Sequence, residues 1–124
     1  MTRYIYCRYS EAVSSDTIPS AAFHILVALA GGDRHGYAIM QDVATGTGGR
    51  IKLNPGTLYT NIRRLLDQGL ITELDERPDP EDDDERRRYY RLTGEGRARA
   101  QAEAARLERM VAFARGVGLA PGKV

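Results

Sequence analysis

The sequence is poor in several features that define whole classes of protein. Its single cysteine, Cys7, excludes a disulfide within the 124 residues and is typical of a reducing compartment. No apolar run reaches the ~20 residues of a membrane-spanning helix, and the first ten residues lack the apolar core of a signal peptide. We therefore expect a cytoplasmic protein with no membrane partner.

The sequence also has almost no excess of positive charge. Its formal net charge is +1, whereas many nucleic-acid-binding modules are strongly basic. The charges are nevertheless unevenly placed, because residues 79–85 contain six acids and no base, and Arg86, Arg87, Arg88 and Arg91 follow. Composition alone does not indicate DNA binding.

Side chains suited to catalysis or metal binding are scarce. The two histidines, His24 and His35, have no clustered partners, and Cys7 has no resolving cysteine. Residues 82–84 lack the glycine and the ligand spacing of a calcium loop. With no phosphate-binding loop or nucleophile–base pair either, we expect no enzyme, no metal and no cofactor.

The first helix is predicted where the pattern becomes clear, after Pro19. The segment SAAFHILVALA is apolar nearly all round, which predicts a helix buried at the centre of the fold and ended by Gly31 and Gly32. Phe23, Leu26, Val27 and Ala30 form one stripe of this helix, with Ile25 and Leu29 beside it, and we expect the helix to be buried nearly all round.

Two further helices and a short strand are predicted next. A turn at residues 33–34 leads to a second helix from His35 to about Thr45, in which His35 packs against the helix start. RIKL at 50–53 is a strand candidate. Asn54 is a natural N-cap for a third helix that begins at Pro55.

The rest of the chain predicts a hairpin and a long helix. Residues 71–77 and 86–92 have strand-like composition and flank a polar, acidic loop. Thr93 then caps a helix that extends to about Gly116. The fold class is mainly α with a small β-hairpin (α+β), a winged helix-turn-helix plus a C-terminal dimerisation helix. The predicted parts are an N-terminal arm (1–17, frayed or docked), a DNA-binding domain (18–92), the dimerisation helix (93–117) and a tail (118–124).

The third helix is the decisive element, because its faces differ. Leu58, Ile62, Leu65 and Leu66 repeat at helical spacing and must pack inward, whereas the opposite face presents hydroxyls and charges: Thr57, Thr60, Arg63, Arg64 and Asp67. Tyr59 lies on the flank, where its hydroxyl is expected to reach a phosphate. Such a face is also what an ordinary solvated helix presents. The neighbouring hairpin with an arginine-rich return strand favours DNA.

Four motifs in register resemble the PadR family of transcriptional regulators. They lie within RHGYAIMQDVATGTGGRIKLNPGTLYTNIRRLLDQGLI and DERRRYYRLTGEGR: HGY, PGTLY, R-L-x-x-x-G-L-I and R-Y-Y-x-L-T, over about residues 20–100. The resemblance implies a winged-helix DNA-binding domain, dimerisation through C-terminal helices, and repression relieved by a small, often apolar or phenolic effector. The single last helix is similar to the family's shorter subgroup.

The resemblance also implies which side chains meet DNA. With the exposed face of the third helix, the predicted DNA-binding residues are Thr57, Tyr59, Thr60, Asn61, Arg63, Arg64, Arg86, Arg87 and Arg88. The acidic loop tip departs from this pattern, since carboxylates beside phosphates repel. The wing arginines could instead pair with those acids. Alternation along the strand puts Arg86 and Arg88 on the face opposite Arg87.

The last helix predicts a dimer. Its apolar side chains have near-heptad spacing, and the predicted interface comprises Ala100, Ala104, Leu107, Met110, Val111 and Ala114. The alternative is that the helix folds back on its own domain. A two-fold dimer would present two recognition helices to a roughly palindromic operator. The competing hypothesis is a winged-helix module for protein contact, which the neutral net charge favours.

Overall fold

The computed structural model of the chain describes residues 18–74 and 88–121. The predicted N-terminal arm with Cys7, the hairpin tip, Arg86 and Arg87 lie outside the described residues. The elements in chain order are α1 (Ser20–Ala30), β1 (Arg34–His35), α2 (Gly36–Gly46), α3 (Pro55–Asp67), β2 (Ile71–Glu73), β3 (Tyr89–Leu92) and α4 (Gly94–Gly116). The winged helix-turn-helix prediction is confirmed.

A three-stranded antiparallel sheet lies beside the helices, with strand order β1-β3-β2 in the described part. The predicted hairpin pairs Ile71 with Leu92 and Glu73 with Tyr90. Strand β1 was not predicted, since a two-residue strand is too short to show a period. Its His35 pairs with Tyr89, and their rings make an edge-to-face contact with centroids 5.3 Å apart.

The strand expected at residues 50–53 is wrong. Gly48 and Gly49, at φ of 63° and 82°, turn the chain after α2, and the Thr47 hydroxyl accepts the Ile51 N–H at 3.0 Å. The backbone that follows is irregular up to α3, while Ile51 and Leu53 pack against the core. These apolar residues pack against the core from an irregular segment, so their alternation does not indicate a sheet.

Helix α1 lies at the centre of the core, as expected, but it is not buried nearly all round. The buried residues are Ala22, Ile25, Leu26 and Leu29. Val27 is 50% exposed, and Ala30 is exposed too. A helix that is apolar nearly all round has no polar face to fix its rotation, so the sequence could not set the phase.

Helix α2 begins one residue later than predicted. His35 is its N-cap, and the imidazole Nδ1 accepts the Ala38 N–H at 3.1 Å, which confirms that His35 packs against the helix start.

Helix α4 begins at the predicted cap and has two different halves. The Thr93 hydroxyl accepts the Gly96 N–H at 3.0 Å and donates to the Gly69 carbonyl at 2.7 Å. Gly96 is buried against the Leu70 carbonyl, and Ala100 packs on the core. Beyond the half-buried Leu107, most side chains are exposed. No helix in the described ranges is long and apolar enough to cross a membrane.

Candidate nucleic-acid interface

Helix α3 is held firmly at its start and along one side. The Asn54 side chain accepts the Thr57 N–H at 2.8 Å, and Pro55 occupies the first turn, as predicted. Leu58, Ile62 and Leu65 are buried in the core. Capping and burial together fix which side of the helix faces outward.

The outward side of α3 is polar and accessible. Thr57, Thr60, Arg63 and Arg64 are all exposed. Asn61 is half-buried, and its Nδ2 donates to the Thr57 carbonyl at 2.9 Å, so part of its hydrogen-bonding capacity serves the helix. This side can therefore present hydroxyl and guanidinium donors to a ligand.

Ion pairing divides the described arginines into two groups. Arg34, Arg88, Arg91 and Arg106 pair with acids, and Arg115 donates to a carbonyl. The side chains without a described hydrogen bond or ion pair are those of Arg50, Arg63, Arg64, Arg97, Arg99 and Arg109. Although the net charge is near neutral, these six cations are therefore available to an anionic partner.

Tyr59 differs from its expected role. Its ring flanks α3, but its hydroxyl oxygen is buried. A Cβ atom at Gly36 would lie 2.5 Å from that oxygen, so the ring packs tightly against the start of α2. The hydroxyl does not reach a phosphate in this arrangement, and Tyr59 instead positions α3 against α2.

The base of the wing is tied to its own sheet. The Arg88 Nη1 lies 3.5 Å from the Glu73 Oε1 on the neighbouring strand. On the other face of β3, Arg91 makes hydrogen bonds of 3.1 and 2.8 Å to the Asp33 carboxylate, which hold the pKa of Asp33 below its ordinary value. Arg88 thus pairs within the chain, with an acid of β2.

Two exposed cations that the sequence analysis left out are Arg50 and Lys52. They lie in the loop that leads into α3. Their position directly before the Asn54 cap was the available signal, because cations beside a helix start add to the positive potential of its free N–H groups. Because residues 50–53 have the pattern of a strand, the sequence did not mark these two cations as part of an interface.

The predicted dimer surface is only partly available. Ala100 packs against the core of its own chain, so it is no free interface residue. Leu107 is half-buried, whereas Met110 is 59% exposed and Val111 is exposed as well. Phe113, 75% exposed, and Val117 extend the apolar surface. We call Leu107, Met110, Val111, Phe113, Ala114 and Val117 the apolar seam.

No group of three metal-ligating side chains occurs within residues 18–74 and 88–121. The three-helix core, the paired hairpin and the unpaired cations on the third helix define the class: a winged helix-turn-helix protein of the DNA-binding kind. The model of the transcriptional regulator PadR-like family matches residues 25–102, and the chain belongs to that family. Its members are regulators of transcription that bind DNA, and they are not enzymes.

Solved structures agree with this assignment. A transcriptional regulator from Clostridium thermocellum is 26% identical, with a TM-score of 0.64 over 77% of this chain and 89% of that one. The RosR protein of H. salinarum is 27% identical, with a TM-score of 0.55 over 77% and 76%. A PadR family regulator from Clostridium difficile R20291 shares the fold at 22% identity, with a TM-score of 0.64 over 78% and 96%. No curated protein matches the chain.

Proposed function

We propose that this protein is a homodimeric repressor that binds a roughly palindromic operator. The observation that supports it best is the outward side of α3, where Arg63 and Arg64 are exposed and unpaired beside Thr57 and Thr60. A helix of this kind fits the major groove, where arginines and hydroxyls meet base edges and phosphates. Since its target is chromosomal DNA, we place the protein in the cytoplasm.

The contact set follows from exposure. Thr57, Thr60, Arg63 and Arg64 would face the groove, with Asn61 at the edge. Arg50 and Lys52 add two charges near the start of the helix. Of the predicted wing residues Arg86, Arg87 and Arg88, only those on one face of the strand would meet the backbone together. Among these three, Arg88 must exchange its pairing with Glu73 for a phosphate or only orient the hairpin.

The apolar seam supports the homodimer. Met110, Phe113 and Val117 project where α4 extends past its own domain. Contiguous apolar surface of this kind is typical of an interface. A second copy of the same helix would cover it by two-fold symmetry and place two α3 helices about one duplex turn apart.

An effector site would need both protomers. A groove between α1 and α2 has a volume of about 230 Å³, and Phe23, Val27 and Val43 line its apolar part. Pockets for small ligands usually enclose ~300–1,000 Å³. We propose that a small apolar or phenolic effector binds only where dimerisation deepens such a surface and that it weakens DNA binding.

The test is a gel-shift of the gene's own upstream region across a salt series, with an unrelated duplex of equal length as control. We expect retardation of the upstream fragment at low salt that weakens steeply as salt rises, because phosphate contacts release counterions. If neither duplex is retarded at low salt, the repressor proposal fails. The protein-interaction module, which the net charge of +1 favours, would then replace it.

A further inference from the structure

A small concave site lies beside the groove-facing side of α3, where the helix meets the first turns of α4 and the start of α1. Its polar lining is Asn61 and Arg64 from α3, the C-cap residue Gln68, and Arg99 from α4. Its apolar lining is Ile18, Pro19, Ala22 and Leu65. The cavity measures about 90 Å³, below the ~300 Å³ at which pockets for small-molecule ligands begin. We call this site the α3–α4 notch.

The chemistry of the notch favours an anion. The guanidinium groups of Arg64 and Arg99 are exposed and make no described hydrogen bond or ion pair. No carboxylate of the described residues lines the cavity. The acid one turn after Arg99, Glu103, already accepts hydrogen bonds of 3.0 and 2.6 Å from Arg106. Two unpaired guanidinium groups at one small cavity match the planar, bidentate recognition of phosphate.

The position of the notch identifies the source of the phosphate. Arg64, the last of the residues proposed to face the groove, also lines the notch together with Arg99 of α4. A duplex that receives α3 in its groove brings a sugar–phosphate strand along each flank of that helix. Because Arg99 lines the notch from α4, it would lie beside one of those strands.

We propose that the α3–α4 notch binds a DNA backbone phosphate at the edge of each half-site, with Arg99 as the additional contact residue. The inference rests on the DNA binding proposed above. It makes the first turns of α4 part of the DNA interface. Because the same helix continues into the apolar seam, the phosphate contact would also fix the position of each domain relative to the dimer.

The first experiment measures affinity against salt for an operator recovered by selection from random DNA and for an unrelated duplex. We expect Arg99→Ala to weaken both complexes by the same factor and to reduce the slope of log K against log salt by about one, without changing base preference. Arg97→Ala is the matched control, since it removes an exposed, unpaired charge two residues away and outside the notch. Thermal melts should show that both variants remain folded.

The second experiment locates the phosphate. Operators with one neutral methylphosphonate at successive positions should show a position in each half-site where wild-type affinity falls. At that position Arg99→Ala should lose nothing further. Absence of such a position contradicts the proposal.

Three outcomes separate this inference from the others. Equal slope changes in Arg97→Ala and Arg99→Ala would show that both arginines contribute only a diffuse positive potential. That result would overturn the notch as a phosphate site. Saturable binding of inorganic phosphate that Arg99→Ala abolishes, with DNA affinity unchanged, would make it a site for free anions and also overturn the proposal. Failure of the wild-type protein to bind any duplex would instead overturn the repressor function.

Discussion

Helices α3 and α4 each pack one side against the same core, yet their outward sides have opposite chemistry. The outward side of α3 presents Thr60, Arg63 and Arg64. The outward side of the second half of α4 presents Met110 and Phe113, with the rest of the apolar seam. A polar side is well solvated in water. Covering an exposed apolar side with another surface lowers the free energy of the protein.

The two outward sides therefore indicate function in different ways. For α3, function has to be inferred from cations that have no partner among residues 18–74 and 88–121, because polarity alone is shared by every solvated helix. For α4, the exposed apolar area itself indicates a protein partner. Each of the following predictions changes one side chain and compares it with a control substitution elsewhere in the chain.

The largest effect is expected at the apolar seam. Met110→Asp should convert the dimer to monomers, because each copy loses about 1.5–3 kcal/mol of burial and the two-fold interface contains the residue twice. The dissociation constant of the dimer should then rise by at least ~100-fold, as measured by light scattering across a concentration series. Ala112→Asp adds the same charge to an exposed position outside the seam and should leave the dimer intact. A dimer that survives Met110→Asp would place the interface elsewhere.

The docked half of α4 should respond through folding. Gly96→Ala puts a Cβ against the Leu70 carbonyl and should destabilise the protein by about 1–3 kcal/mol or more. At Gly116 a Cβ meets nothing within 4 Å, so Gly116→Ala should be neutral or stabilise by up to about 1 kcal/mol. Urea unfolding at one protein concentration compares them. Equal stability would mean that α4 does not dock through Gly96.

Elements with local chemical signals were predictable from the sequence. The Asn54 cap, the Thr93 cap and the period of Leu58, Ile62 and Leu65 each specify a helix start or a buried side. Those signals lie within a few residues of the feature that they determine. The sequence therefore predicted α3, its outward side and the extent of α4.

Features that depend on tertiary contacts were not predictable. The burial of Ala100 depends on where α4 crosses the domain, and the pairing of Arg88 with Glu73 depends on strand register. The buried Tyr59 hydroxyl depends on the close approach of Gly36. The sequence could not show which arginines remain without a described partner either, since two of the four described ion pairs join residues far apart in the chain.

On α3, the contrast with α4 is tested at Arg63. Its side chain is exposed, has no described partner and lies outside the notch. Arg63→Ala should weaken operator binding by about 1–3 kcal/mol and relax preference at one base pair, because a guanidinium in the major groove typically reads guanine. Arg109→Ala removes an equally unpaired charge from α4 and should leave the preference unchanged. Fluorescence anisotropy with operator variants measures both. A uniform loss on all sequences would reassign Arg63 to the phosphates.

The smallest effect is expected at Glu103, where the docked half of α4 gives way to the exposed half. Its side chain is only 5% exposed, and the hydrogen bonds from Arg106 hold its pKa below the ordinary value of 4.5. A lowered pKa in the folded state stabilises the protein above the unfolded pKa, and this contribution disappears as pH falls through the folded value.

The free energy of unfolding of wild type minus that of Glu103→Gln should therefore shrink as pH falls from neutral to well below 4.5. Asp33→Asn breaks the pair of Asp33 with Arg91, whose pKa shift has the same direction. Because both members of that pair are exposed to solvent, the corresponding difference should be smaller and should vanish with added salt. If the Glu103 difference proved as salt-sensitive as the Asp33 difference, Glu103 would be a surface residue in solution. The docked half of α4 would then end before Glu103, and the exposed part of the helix would begin a full turn earlier.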